Sequence, residues 1–502
     1  MAILSEAALD FAKKHIERYY DSDFFPKSAE FQALWHQWDE VKKELMSKNV
    51  SKIWVTPPRA MTIAKPKGGF RVVHQLEPVD AIVYTALAYE AAPSIEAARI
   101  DAAERIACSY RFKVADGSFF AGGSGWTDFE AKTAELLDQF SHVLVTDITD
   151  FYNQIYLHRL NNAIESSNAA LKPFAAEIEN FLLTLNSKAS QGVPVGPAAS
   201  IVMSEAVLID VDHFLKSKGV AHTRYVDDIR LFSDSRRDLQ RVLEQLTLYL
   251  YEIHRLTVSS EKTQLHTSAE FSAKHFHNHY EDEKSELRNS LEEFNPYSDD
   301  YDESDFDDEP DDEMVTAIQR VINYEHLDLG LARSVIRTAR RNSIDVIARH
   351  LLDHFDFFAP VVNDVVLYLH EVTDGPLANA LRPKLEAIAS SPALDTQLVR
   401  FWIESYVAQY PEYMASPVLA QLVYGGRNID NQALAAITTK NVAWVRSHKA
   451  SIHNLGGWGR RAVLHASRVL PSDERTNWLK LFSGNSPVLL DRWVAKWVQE
   501  TA

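Results

Sequence analysis

Thr223-Arg224-Tyr225-Val226-Asp227-Asp228-Ile229-Arg230-Leu231-Phe232 places alternating apolar residues on either side of two adjacent acids. That pattern predicts a β-hairpin with carboxylates at its tip. Adjacent carboxylates repel, so each is pushed toward its protonated form unless a cation makes the ionised pair favourable; a divalent ion does so through hard oxygen ligands. An Asp-Asp turn alone is a weak signal, and its surroundings decide.

Upstream, Val143-Leu144-Val145-Thr146-Asp147-Ile148-Thr149-Asp150-Phe151-Tyr152 reads as a buried strand ending in an acid, which makes Asp147 the third carboxylate of a cluster. Between the two acidic stretches, Gln191-Gly192-Val193-Pro194-Val195-Gly196-Pro197-Ala198 is a loop opening a helix that runs to about Leu215. Ser260-Glu261-Lys262-Thr263 follows the hairpin. In this order the four stretches resemble motifs A (Asp147), B (Gln191 to Ser200), C (Tyr225 to Asp228) and D of the reverse transcriptase family. Four motifs in sequence over about 120 residues are specific where any one is not.

The resemblance implies an α+β fingers and palm domain performing two-metal nucleotidyl transfer from dNTPs. Asp147, Asp227 and Asp228 are then the metal ligands, with the Ile148 carbonyl a further one. Hard oxygen ligands and substrate phosphates favour two Mg²⁺ ions, with Mn²⁺ able to substitute. Lys262 is placed to protonate or neutralise leaving pyrophosphate, and Tyr152, five residues after Asp147, to exclude a 2′-hydroxyl. Gln191 and Gly192 would lie against base and sugar, where Gly permits close backbone approach. In Lys65-Pro66-Lys67-Gly68-Gly69-Phe70-Arg71, a basic hairpin turn, Arg71 and one of Lys65 and Lys67 would hold the triphosphate.

At 502 residues the chain is long enough for two or three domains, and its composition is globular. One cysteine, Cys108, excludes an internal disulfide framework, and with no charged-then-apolar leader a reducing cytoplasm is expected. No apolar run is long enough to cross a bilayer, so no membrane partner is expected. The net charge of -18 is unusual for a nucleic-acid enzyme. Thirteen of the acids fall within Glu292–Glu313, which holds no base, leaving -5 elsewhere. Either a basic cleft sits on an acidic body, or the enzyme does not grip long duplexes.

Residues 1 to about 60 read as helical, with the stripe Leu9, Ala12, Ile16, Tyr19 and Tyr20. Val79 to Ala92 is helical in pattern, and Gly122-Gly123-Ser124-Gly125 lacks the spacing of a phosphate-binding loop. The palm spans Ser141 to about Thr267. His275, His277 and His279 would share one face of a strand, without a Cys or carboxylate to complete a metal set. The expected domains are 1–290 (fingers and palm), an acidic disordered loop or linker over 291–313, and an all-helical domain over 314–502. There Ser343 is placed to cap a helix carrying Ile344, Ile347, Leu351, Leu352 and Phe355, and Leu398, Phe401, Trp402 and Ser405 repeat the spacing. The pattern reads as HEAT-like helical repeats, with an irregular bundle as the alternative.

A palm joined to a long helical domain resembles the bacterial abortive-infection (Abi) polymerases, including the type carried by P2-like prophages. Val193-Pro194-Val195-Gly196-Pro197 departs from the commoner form of motif B. This narrower resemblance implies phage defence, template-independent DNA synthesis, a protein hydroxyl as primer, a single-stranded DNA product attached to the protein, and a homo-oligomer. Tyr19, Tyr20, Tyr297 and Tyr301 are priming candidates. The competing readings are a templated, retron-like RNA-directed DNA polymerase and a helical-repeat scaffold with an inactive polymerase domain.

Overall fold

The computed structural model describes residues 2–22, 24–65, 68–122, 125–276 and 311–502. In chain order it forms α1 (Glu6–Arg18), α2 (Glu30–His36), α3 (Trp38–Met46), a hairpin of β1 (Arg59–Ala64) and β2 (Phe70–Gln75), and α4 (Pro78–Ala98). A second hairpin, β3 (Phe112–Ala115) and β4 (Ser118–Phe120), precedes α5 (Trp126–Gln139) and β5 (His142–Asp147). Next come α6 (Phe151–Gln154), α7 (Leu157–Ser167), α8 (Lys172–Leu185) and α9 (Ala198–Ser217). The hairpin β6 (Ala221–Tyr225) and β7 (Asp228–Ser233) leads to α10 (Arg236–Tyr249), β8 (Gln264–Thr267) and α11 (Ser268–His275). From residue 311 on, the described elements are all helical, beginning with α12 (Asp311–Ile322) and α13 (Leu329–Arg341).

The chain forms two compact units. The first gathers Met1–Asp23, Lys42–Arg59 and His74–Glu303; the second gathers Phe24–Val41, Ala60–Val73 and Ser304–Ala502. The helical unit thus takes in two N-terminal segments that a division at residues 290 and 314 places elsewhere.

In the first unit, the four-stranded sheet has the order β6-β7-β5-β8, and each pair is antiparallel. Because side chains alternate along a strand, the register partners Val143 and Phe232, Val145 and Arg230, and Asp147 and Asp228 share one face. α5 and α11 cover the end of that face away from the acids: Leu136, Leu137 and Phe271 pack with Val143 and Phe232. The Arg230 guanidinium lies 4.1 Å over the Phe129 ring and donates to Thr133 Oγ1 at 2.8 Å. Leu144, Ile229 and Leu231, which point the other way, are also buried, and α10 packs on β5 and β7. α4 and α9, which pack together, carry buried residues around their circumference, as helices inside a core do.

The second unit packs helix on helix. α13 lies against Val362–Val372, Gln397–Ala408 against Ile429–Thr438, and Leu489–Thr501 against both Ser472–Asn485 and α2. Trp402 is buried and donates from Nε1 to the Phe24 carbonyl at 2.8 Å, while buried Arg461 donates to Glu30 at 3.1 Å.

Two local expectations are corrected. Ser343 does not cap a following helix, which begins only at Ala348. It takes a left-handed φ of +52° just past α13, where the Ile344 N–H donates to the Ala339 carbonyl at 2.9 Å and closes the preceding helix. His275 is in the last turn of α11 rather than on a strand, stacked on Phe271 at 4.2 Å. The helix is set by a capping box, Thr267 with Glu270. His277, His279, Tyr297, Tyr301 and the acidic stretch to residue 310 lie outside the described residues. No helix among the described residues is long and apolar enough to cross a membrane.

Candidate active site

Only Val226 and Asp227 connect β6 to β7. The first residue of such a two-residue connection is usually Gly, Asn or Asp when φ is positive, yet Val226 has φ +52°. A β-branched residue in that region costs about 1–3 kcal/mol and persists only where its surroundings over-determine it. Here they do: the Val226 N–H donates to Ser109 Oγ at 3.0 Å, and Arg224 Nη1 donates to the Val226 carbonyl at 2.9 Å. The turn leaves Asp227 at the tip and Asp228 opening β7, directly opposite Asp147 at the end of β5.

The segment after α10 is stitched to Asp147. Ser259 N–H donates to the Asp147 carbonyl at 2.8 Å, Thr149 N–H to the Thr257 carbonyl at 2.8 Å, and the Thr146 and Thr263 hydroxyls are 2.8 Å apart. These bonds carry Lys262 to the acids, where Nζ donates to Asp147 Oδ1 at 2.8 Å. Its side chain is 62% exposed against 7% for Asp147, so the ammonium reaches in from solvent. Burial, then the charges of Asp147 and Asp228, push Asp227 up to about 7; burial and Asp147 push Asp228 up to about 6. Desolvation pulls Lys262 down, but its bond to Asp147 and the neighbouring acids hold it above its ordinary value.

Among the described residues no three His, Cys, Asp or Glu side chains are placed so that they alone could hold a metal ion. That is compatible with Mg²⁺, which is usually held by one or two carboxylates together with substrate phosphates and water. Burial and the neighbouring acids raise Asp227 and Asp228, a cost that a divalent cation would relieve, so carboxylates here together with substrate phosphates and water suit Mg²⁺.

Tyr152 lies in α6, and the Gln191–Gly192 loop is strapped onto that segment. Val193 N–H donates to the Tyr152 carbonyl at 2.9 Å and Gly192 N–H to the Ile155 carbonyl at 2.8 Å. Asn186 Nδ2 donates to the carbonyls of Gln191 and Gly192 at 3.0 and 2.7 Å. Gly192 has φ +98° and would bring a Cβ to 3.4 Å from the Asn153 carbonyl oxygen, so a side chain there is strained. Ser204 Oγ donates to the Tyr152 hydroxyl at 3.5 Å. Burial, with Asp227 nearby, raises the phenol's pKa. Lys65 and Arg71 are exposed on the β1–β2 hairpin, in the other compact unit.

Sequence reasoning missed the layer beneath the tip. Arg224 is fully buried and donates to Asp212 at 2.7 and 2.6 Å and to Glu205 Oε2 at 3.0 Å. Arg99 Nη2 is 3.1 Å from Glu205 and donates to the Ser109 carbonyl at 2.7 Å, while the Ser109 hydroxyl donates to Glu205. Two arginines and two acids balance in charge, as buried ions must. The available signal was a charged residue inside an apolar strand: alternation puts Arg224 on a solvated face, whereas it is buried, with Thr223 buried and Tyr225 half-buried beside it.

Residues 63–289 match the family profile described as reverse transcriptase (RNA-dependent DNA polymerase). The chain carries a reverse transcriptase domain. By that domain it is a nucleotidyltransferase, a DNA polymerase. Among solved structures it is similar to telomerase from Candida albicans in complex with a fragment of telomeric RNA, at 13% identity over 74% of this chain and 71% of that one, with a TM-score of 0.32. It is also similar to apo telomerase from Candida tropicalis, at 13% identity over 83% and 73%, with a TM-score of 0.35. No curated protein matches. The reverse transcriptase domain includes β2, the strapped Gln191–Gly192 loop, the hairpin tip and Lys262.

Proposed function

We propose that this reverse transcriptase domain makes DNA from dNTPs by two-metal nucleotidyl transfer, without a template and from a protein hydroxyl, in an abortive-infection defence. The observation that carries the polymerase reading is the opposition of Asp147 and Asp228 across β5 and β7 with Asp227 at the turn beside them. These three carboxylates would hold the Mg²⁺ ions, which when bound supply charge for the attacking and leaving oxygens. Lys262 would deliver a proton toward the departing pyrophosphate, reaching from solvent as it does to Asp147. Tyr152, half-buried and backed by Ser204, would set the floor of a deoxyribose site, with Gln191 and Gly192 beside it; Lys65 and Arg71 are the proposed triphosphate-binding residues.

What supports template independence is the cover on the acid-bearing face. α5 and α11 cover it around Val143 and Phe232, and α5 carries Asp128, Glu130 and Asp138 beside Glu135, which pairs with Lys132 and Arg105. A duplex laid along that face would meet a helix that repels phosphate. A single-stranded 3′ end approaching the tip would not. The all-helical run from residue 311 on supports kinship with the Abi polymerases, with HEAT-like stacking and homo-oligomer assembly as part of the same proposal. Of the priming candidates, Tyr19 is buried and Tyr20 half-buried.

Incubating the full chain with each dNTP and Mg²⁺, with and without an RNA template, tests this reading. Template-free incorporation into a product linked to the protein, lost in Asp227→Asn, is expected. Synthesis that requires a template and copies its sequence would replace it with the retron-like reading.

A further inference from the structure

Val226 stands in a backbone conformation that valine avoids, and two groups from outside the turn grip its peptide units. Its N–H is taken by Ser109 Oγ at 3.0 Å, and its carbonyl by Arg224 Nη1 at 2.9 Å. Ser109 can accept from Val226 because its own proton goes to Glu205, and Glu205 is fixed by Arg224 and Arg99. Ser109, Arg224, Arg99 and Glu205 are all buried, so no water replaces any of them without rearrangement. Asp227 and Asp228 follow Val226 directly, and the direction of both side chains depends on its φ.

We infer that Ser109 is a positioning residue for the cation site: with Arg224 it clamps Val226 in the left-handed region and so aims Asp227 and Asp228 at Asp147. Glu205 orients the Ser109 hydroxyl for that task. This rests on the reading of the three acids as metal ligands. Arg224 cannot hold the turn alone, since it grips only the carbonyl, and a flip of the unpaired N–H would relieve valine's strain at the expense of the acids' alignment.

The test is Mn²⁺ binding to the full chain without nucleotide, followed by electron paramagnetic resonance, with thermal unfolding measured in parallel. Wild type should bind Mn²⁺ and Asp227→Asn should not; absence of binding to wild type would refute the metal assignment itself. Ser109→Ala should weaken Mn²⁺ binding on the order of tenfold, as loss of an outer partner of a metal ligand does. Adding Val226→Gly to Ser109→Ala should recover most of that loss, because glycine takes positive φ without a clamp. If Ser109→Ala does not fold, Ser109→Cys, of similar size but a poorer acceptor, should show the same loss in smaller measure and the same rescue by glycine. Unchanged Mn²⁺ affinity in a folded Ser109 variant, with only the melting temperature lowered, would overturn the inference, as would a loss that Val226→Gly leaves untouched.

Discussion

Asp147 and Asp228 are register partners across β5 and β7, and Asp227 adjoins them at the turn. With burial and this crowding, Asp227 is pushed up to about 7. The folded protein therefore keeps a proton that the unfolded chain releases near pH 4, and metal-free stability falls as pH rises from about 4 to about 7. Asp227→Asn should abolish incorporation yet raise stability at pH 8 in EDTA, by about 2–4 kcal/mol from the size of the shift. Urea unfolding of both proteins at pH 5 and pH 8 checks this; an equal gap at the two pH values would contradict it.

A cation must displace the protons that these acids retain. Mn²⁺ affinity for wild type should thus climb between about pH 5 and pH 7 and level off above, following Asp228 near 6 and Asp227 near 7. Calorimetric titration in two buffers of different ionisation enthalpy should register proton release on binding at pH 6 and much less at pH 8. A flat affinity over that range would mean that the acids do not hold the ion.

Ser204 backs the Tyr152 hydroxyl, and the Val193 amide on the Tyr152 backbone carbonyl ties the loop to the same segment. Tyr152→Ala should lower discrimination against ribonucleotides, on the order of a hundredfold in relative kcat/KM, with little change for dNTPs. Ser204→Ala should do the same more weakly. Steady-state incorporation of a dNTP and its ribonucleotide partner decides the matter, and unchanged sugar preference in Tyr152→Ala would remove this role.

The hairpin, the strand ending in Asp147 and the loop at Gln191 were legible because each is written in local residues: alternation, paired acids, and Gly with Pro. What was not legible depends on pairing distant segments. Ser109 and Arg224 come together through the parallel bridge of Ala107 with Arg224 and their shared partner Glu205, which no local pattern announces. Ser343 illustrates the opposite failure: its hydroxyl suits a cap, but the left-handed turn that ends α13 takes it first. Nor does a long helical run show which N-terminal residues join it, since Phe24–Val41 enters the second unit through contacts such as those of Trp402 and Arg461.

Arg224→Met should be among the most damaging changes outside the acids. It leaves Glu205 and Asp212 buried with one guanidinium fewer, and breaking a buried ion network in this way costs about 3–5 kcal/mol. Arg224→Lys should recover only part, since an ammonium cannot reach both acids and the Val226 carbonyl in the fork that Arg224 makes. Denaturant unfolding gives both values; a loss under 1 kcal/mol for Arg224→Met would show that the network contributes little.

His15 opposes the acids in its pH dependence. Its ring is buried against Phe119, with Nδ1 2.7 Å from the Gly117 carbonyl, and desolvation lowers its pKa to about 4. A depressed histidine is neutral in the folded state, so the unfolded chain binds the proton first; its stabilisation is complete above about 6.5 and is lost as pH falls through 4. The shift corresponds to about 3 kcal/mol at full effect. Because Asp227 and Asp228 tilt stability the other way over nearly the same range, the wild-type profile alone separates neither. The difference between wild type and His15→Gln does: the variant should lose less stability than wild type between pH 7 and pH 4.5, by about 2–3 kcal/mol. Parallel profiles for the two proteins would show that His15 is charged, or free to become so, inside the fold.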